Sequence, residues 1–268
     1  MKAALVAEYR KLLSTRMWWV LLVALAAYLA FIGGTLAFSI VVASENDPEN
    51  AIPLAGIDAA AAIYGLTNAI GYVFPLVIGS LAMTTEFRHQ TITQSLLVEP
   101  RRGVFLGAKL LATVPIGLAY GVVATASVVL ASAPILAGLG DGAYLTEPAI
   151  VEVLLLSVVV TALWAVIGVA FGSVLTNQVA AIVVILAITQ FVEPIARVAL
   201  GAFDALDGVA KFLPGAAADG VIGASLLGSM DGGSADLLPR WAALLVMLTY
   251  AGTLAGIGRF TTLRRDIG

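Results

Sequence analysis

Residues 153–192 read VLLLSVVVTALWAVIGVAFGSVLTNQVAAIVVILAITQFV, forty positions without one Asp, Glu, Lys or Arg. At ~1.5 Å per residue a helix of that length runs ~60 Å, about twice the ~30 Å hydrocarbon core of a bilayer. The run therefore holds two crossings. Its natural break is Thr176-Asn177-Gln178, the only polar cluster inside it.

Four further charge-free runs flank this one, at 17–44, 59–85, 110–140 and 241–258. With the break at 176–178 they predict six helices, at about 17–43, 59–84, 104–133, 149–175, 179–200 and 240–259. The runs are apolar nearly all round, as lipid-embedded helices are. A transmembrane barrel would instead alternate polar and apolar residues over strands of ~10 residues. The first run far exceeds the ~7–15 apolar residues of a signal-peptide core, so a retained span is expected there. Composition agrees: the 268 residues are 60% hydrophobic and 12% charged, with a mean hydropathy of +1.02. A soluble domain is nearer ~45–50% apolar and ~25% charged. The expected fold class is all-α integral membrane, a single domain over 1–268. With no cysteine in the chain, disulfides, thiolate metal sites and cysteine nucleophiles are excluded.

Charge distribution orients the spans. Of the 14 Lys and Arg, all but Arg197, Lys211 and Arg240 fall on the side that carries both termini. Glu45, Asp47, Glu49, Asp58, Asp141, Glu147, Glu152, Asp204, Asp207, Asp219, Asp231 and Asp236 fall on the other. Basic residues mark the cytoplasmic side of a membrane protein, so both termini are expected there.

Three connecting segments have a character of their own. Residues 2–16 place Leu5, Tyr9, Leu12 and Leu13 on one helical face and Lys2, Arg10, Lys11 and Ser14 elsewhere. That pattern suits a helix lying in the membrane interface, with membrane lipid as its partner; a plain extension of the first span is the alternative. EFRHQTITQSLLVEPRR at 86–102 is the longest connection on the basic side. It suits a short helix ended before Pro100, or else a solvated loop. Its His89 is the only histidine and reads as a surface contact residue, since a lone histidine makes a poor metal site. Residues 201–239 hold Pro214-Gly215, Gly232-Gly233 and Pro239 around an apolar stretch at 221–227. Short or re-entrant helices are expected there.

No catalytic constellation appears. GVFLGAK at 103–109 resembles a phosphate loop only superficially, with the wrong spacing, so the chain lacks a cradle for ATP phosphates. Neither H-E-x-x-H nor G-x-S-x-G is present. Polar residues within the spans carry more information. Tyr64, Asn68 and Tyr72 recur at i, i+4 and i+8 in the second helix, and Thr189, Glu193 and Arg197 do so in the fifth, each set predicted to share a face. Glu193 precedes Arg197 by four, the favourable order for a helical ion pair. The two stripes either line a conduit or pack helices together. Gly117/Gly121, Gly168/Gly172 and Gly252/Gly256 are spaced for close helix approach.

Taken in order, these parts resemble the permease subunit of an ABC-2 type ATP-binding-cassette exporter. The resemblance spans essentially the whole chain: an amphipathic start with Glu8, Lys11 and Arg16, a first span, the long link after the second, and a basic tail after the sixth. It is sharpest at 86–109, where Glu86, Phe87 and Arg88 lead to Thr91, then Leu96-Leu97, Pro100-Arg101 and Lys109. Many relatives carry glycine where Gln90 stands. The resemblance implies that residues 1–16 form an elbow helix. It implies that a coupling helix at 86–97, with Glu86, Phe87, Arg88, His89 and Thr91, docks on a separate ATPase subunit. Tyr64, Asn68, Tyr72, Thr189 and Glu193 would then line the path, on the two helices at the interface with a second permease subunit, in a homodimer or a closely related heterodimer. It also implies two ATPase copies carrying the ATP and Mg, no cofactor or nucleic acid on this chain, and a prokaryotic cell membrane. Cargo stays open among drugs, peptide antibiotics, lipids, polysaccharide precursors and ions. A stand-alone secondary transporter or channel is the competing expectation; it needs coupling-ion ligands near the midplane, for which Glu193 is the acidic candidate.

Overall fold

The computed structural model describes residues 2–46, 54–201, 203, 207–226, 228 and 237–262, and within them every regular element is helical. Helix α1 is Lys2–Ser14, and α2, Met17–Asn46, is the first span. The second span is built from α3 (Gly56–Tyr64), α4 (Leu66–Ala69) and α5 (Val73–Arg88). After the short α6 (Ile92–Val98) come α7 (Arg102–Leu139) and α8 (Pro148–Val174). The fifth span joins α9 (Gln178–Ala187) to α10 (Glu193–Gly201) through a π-helical turn, Ile188–Val192. Then follow α11 (Asp207–Ala210), α12 (Pro214–Ile222) and the sixth span, α13 (Arg240–Phe260). Among the described residues six helices are long and apolar enough to cross a membrane, and the chain is a multi-pass membrane protein.

The predicted break in the 40-residue run falls where expected. α8 stops at Val174, and the Asn177 side chain accepts from the Ala180 amide to cap α9, satisfying one of the free N–H groups of a helix start. Two expectations need correction. The second helix is not continuous over 59–84: it starts at Gly56 and is interrupted at Gly65 and again between Ala69 and Val73. The third is longer than 104–133 and runs on to Leu139 with Pro115 and Pro134 inside it. Within residues 201–239, α11 and α12 are short helices, as the composition of that stretch predicts. Gly232-Gly233 lies outside the described residues, as does the basic tail with Arg264 and Arg265.

α8 is the axis of the bundle: α5, α7 and α13 pack against it, and α2 packs on α7. In lipid no hydrophobic force drives helices together, so close approach depends on small side chains. A Cβ on Gly117 would meet the Ala162 Cα at 2.6 Å, and one on Gly121 the Val158 Cα at 2.7 Å. One on Gly172 would meet the Ser80 carbonyl oxygen at 2.6 Å. Two of the predicted small-residue pairs thus seat α7 and α5 on α8. The third does not: nothing lies within 4 Å of a Cβ at Gly252 or Gly256. The second and fourth spans are mostly buried within the chain, whereas only a small share of the first, fifth and sixth is buried.

Candidate functional site

Two polar clusters interrupt the apolar bundle, near opposite ends of α5. The first is centred on Lys109, two turns into α7 and 2% exposed. A cation inside a span is costly unless paired. Its ammonium donates to Glu8 Oε2 at 2.5 Å, to Glu86 Oε1 at 2.8 Å and to the Ala82 carbonyl at 3.1 Å. Lys11 joins from the solvent side, donating to Glu8 Oε1 at 2.7 Å, Glu86 Oε1 at 2.9 Å and Ser95 Oγ at 3.0 Å. Two carboxylates and two ammonium groups make a charge-balanced set that binds α1, α5, α6 and α7 together. Burial alone would lower the Lys11 pKa; the hydrogen bonds and charges of Glu8 and Glu86 outweigh it and raise it above the ordinary 10.5. A groove of about 730 Å³ runs beside the set, lined among others by Leu12, Arg88, His89, Thr91 and Ser95.

Residues 86–91 divide sharply. Glu86 is buried, Phe87 and Thr91 are partly buried, and Arg88 and His89 are exposed. Arg88 donates to Gln178 Oε1 at 3.1 Å. The chain turns at Gln90, which takes φ 55°. The Thr91 amide donates to the Glu86 carbonyl and the Gln90 amide to the Phe87 carbonyl, the paired bonds that close a helix through a left-handed residue. Glycine is the residue best suited to that conformation. α6 then carries Leu97 and Val98 into the open, 79% and 88% exposed. In α1, Leu5 and Leu12 are half-buried, while Tyr9, Leu13, Lys11 and Arg16 are exposed. The most buried described side chain there is Glu8, which apolar periodicity did not single out. The signal that could have found it was the lone Lys109 in an apolar helix, whose burial demands acidic partners.

The second cluster ties α12 to the spans. Arg197 donates to Glu193 Oε1 at 3.0 Å and to Asp219 Oδ2 at 2.8 Å. The Gly215 amide donates to the same Glu193 oxygen at 2.5 Å. Asn68 donates to Asp219 Oδ1 at 2.7 Å and accepts from the Trp164 indole at 3.1 Å. Ser225 donates to Asp219 Oδ2 at 3.1 Å. The Tyr72 hydroxyl donates to the Thr189 carbonyl at 3.1 Å, and its ring lies 4.5 Å from that of Trp164. A cavity of about 40 Å³ lies among Asn68, Tyr72, Thr189, Glu193, Arg197 and Asp219. Glu193 Oε2 and Arg197 Nε are buried without a partner, and the space beside them suits a water-sized molecule.

The structure brings together Asn68, Tyr72, Thr189 and Glu193 of the expected path residues. Tyr64 stands apart, its hydroxyl donating to the Ala143 carbonyl at 2.8 Å. The expected common face of Tyr64, Asn68 and Tyr72 is broken because the helix is interrupted at Gly65 and after Ala69. The stripe of Thr189, Glu193 and Arg197 survives across the π turn. Pro194 cannot donate to Gln190 and its ring crowds that carbonyl, and the widened turn just before it relieves the clash. Asp219 reads in the sequence as one more acid of a loop; only the docking of α12 makes it the partner of Arg197. Compared with models of known protein families and with curated proteins, the chain matches none.

Proposed function

We propose that this chain is the permease subunit of an ABC-2 type exporter, moving its substrate with ATP hydrolysed on a separate ATPase. The observation that carries the proposal is the Glu8–Lys109–Glu86–Lys11 set. It joins the candidate elbow helix α1, the candidate coupling segment after Glu86 and the two spans α5 and α7 through buried ion pairs. A push on α6 cannot then stay local, because breaking the set would strand buried charge. Exposed Arg88, His89, Leu97 and Val98 are offered to the ATPase, with Thr91 at the turn; Glu86 and Phe87 act from within as the anchor. Two ATPase copies bind the ATP and Mg, and this chain binds neither.

In this reading the path lies beside the second and fifth spans of two permease copies, which pair across the exposed face with Phe191, Ile195 and Val198. Asn68 and Glu193 are held by α12, through Asp219 and the Gly215 amide, so the path opens when α12 releases them. ATP binding shifts the population toward that state only if the ATPase binds the two states with different affinity. The test is co-expression with a phosphate-loop ATPase and measurement of association and substrate-stimulated hydrolysis. Arg88→Ala with His89→Ala is expected to lower both while leaving the thermal stability of the permease unchanged; unaltered association and hydrolysis would refute the docking assignment.

Buried Glu193 and Asp219 favour a second reading, a secondary transporter coupled to an ion or proton. Both carboxylates are held by Arg197. Uptake in proteoliposomes driven by an ion gradient, without any ATPase, would select this reading over the first.

A further inference from the structure

At the basic end, α7 begins and α13 ends around a cavity of about 720 Å³ lined by Arg101, Arg102, Gly103, Val104, Arg259 and Phe260. The three arginines are not equivalent. Arg101 is held by Glu99, at 2.8 Å to one carboxylate oxygen and 3.0 Å to the other. Arg102 and Arg259 have no carboxylate partner among the described residues. Arg259 lies 5.5 Å over the Phe260 ring and presses against the α7 backbone. A Cβ at Gly103 would meet its Cζ at 3.1 Å, so glycine there makes room for the guanidinium. Among the described residues no carboxylate answers either guanidinium of this shared cavity, so an anion entering it would meet two cations at once.

Depth and lining identify the anion. Arg102 and Phe260 are the end residues of two candidate spans, so the cavity sits where apolar helix gives way to polar surroundings. Val104 and Phe260 give it apolar walls beside the charges. Further inward each helix borders open space: among the described residues nothing lies within 4 Å of a Cβ at Gly107, one turn beyond Gly103, or at Gly256, one turn before Arg259. A phosphate fits the arginines, and an acyl chain fits the open space beside the glycines. We propose that this cavity is a binding site for the headgroup phosphate of an anionic phospholipid, held by Arg102 and Arg259, with an acyl chain beside Gly107 and Gly256.

The full chain, purified in mild detergent and exposed to vesicles of phosphatidylcholine and phosphatidylglycerol, would be examined by native mass spectrometry for retained lipid. The wild type is expected to keep phosphatidylglycerol in preference to phosphatidylcholine. Arg102→Gln with Arg259→Gln is expected to reduce that preference roughly 30-fold, the effect of two interfacial cations, and the double lysine variant to retain most of it. Gly107→Leu is expected to weaken retention with every arginine in place, which keeps the test open should the glutamine variant fold poorly. Retention unchanged in both the glutamine and Gly107→Leu variants would overturn the proposal. So would an equal loss on Arg10→Gln, which marks diffuse attraction to cations. Displacement of phosphatidylglycerol by millimolar inorganic phosphate would assign the arginines to a soluble anion and overturn the lipid site.

Discussion

Gln90 holds a left-handed conformation with φ 55° at the point where α5 must stop and the chain double back into α6. A side chain there carries strain of ~1 kcal/mol that glycine lacks, while glycine loses a comparable amount through its freer unfolded chain. Gln90→Gly is therefore expected to change stability by less than ~1 kcal/mol, and Gln90→Val to lower it by about 1–2 kcal/mol, since a β-branched residue tolerates that region worst. Thermal unfolding of the detergent-solubilised protein distinguishes them. Lys109 is the more severe case. Lys109→Met leaves Glu8 and Glu86 buried without their central cation, an expected loss of ~3–5 kcal/mol. Adding Glu8→Gln and Glu86→Gln removes the stranded charge, and most of the loss should return. Lys11, with half of its side chain in solvent, matters less. Its raised pKa means that its contribution is complete below the ordinary 10.5 and disappears as pH climbs through the higher folded value. Lys11→Gln should remove that alkaline step, which solvent screening keeps below ~1 kcal/mol.

Among elements, α8 imposes the tightest constraint. A Cβ on Gly168 would meet the Leu76 backbone, with its Cα at 3.0 Å, so neither helix can give way by moving a side chain. Gly168→Leu is expected to cost at least ~1–3 kcal/mol and to lower the yield of monodisperse protein, whereas Gly252→Leu, facing open space, should leave both unchanged. The same i, i+4 glycine spacing thus marks a packed seam in one helix and an open face in another. α12 presents a different dependence. Its polar ties to the spans run through Asp219 and the Gly215 amide, and Asn68→Ala would leave both Asp219 Oδ1 and the Trp164 indole short of a partner, at ~1–3 kcal/mol. Faster hydrogen exchange confined to α12 and its surroundings would show that the network, and not the apolar packing, holds that helix down.

For the whole molecule, the exposed apolar end of α6 and the exposed fifth span are among the apolar surfaces that the chain itself leaves uncovered. Leu97 and Val98 fall outside the candidate spans, and Val98 lines the same groove as Arg88 and His89. If an ATPase covers them, Leu97→Asp should weaken its association by about tenfold or more, since burying an unpaired carboxylate in an apolar contact costs well over 1.4 kcal/mol. The isolated chain should keep its melting temperature, because Leu97 touches little of its own chain. Titration of the purified ATPase against both versions of the chain measures the difference.

Five charge-free runs, the break at 176–178 that makes them six spans, and the ion pair of Glu193 with Arg197 were legible in the amino-acid order, because each depends on neighbours along one helix. Hydropathy needs no partner, and an i, i+4 pair is fixed by helical pitch alone. The interruption at Gly65 and after Ala69 was less visible, since glycine and apolar residues continue a span as readily as they break it. What only the tertiary structure decided are the partners from distant segments: Glu8 and Glu86 around Lys109, and Asp219 beside Arg197. Residues 101 and 22 positions apart meet only after α1 folds onto α7 and α12 docks on the spans. A charged residue announces that it needs a counter-charge, but the chain must fold before one of the available acids becomes the nearest.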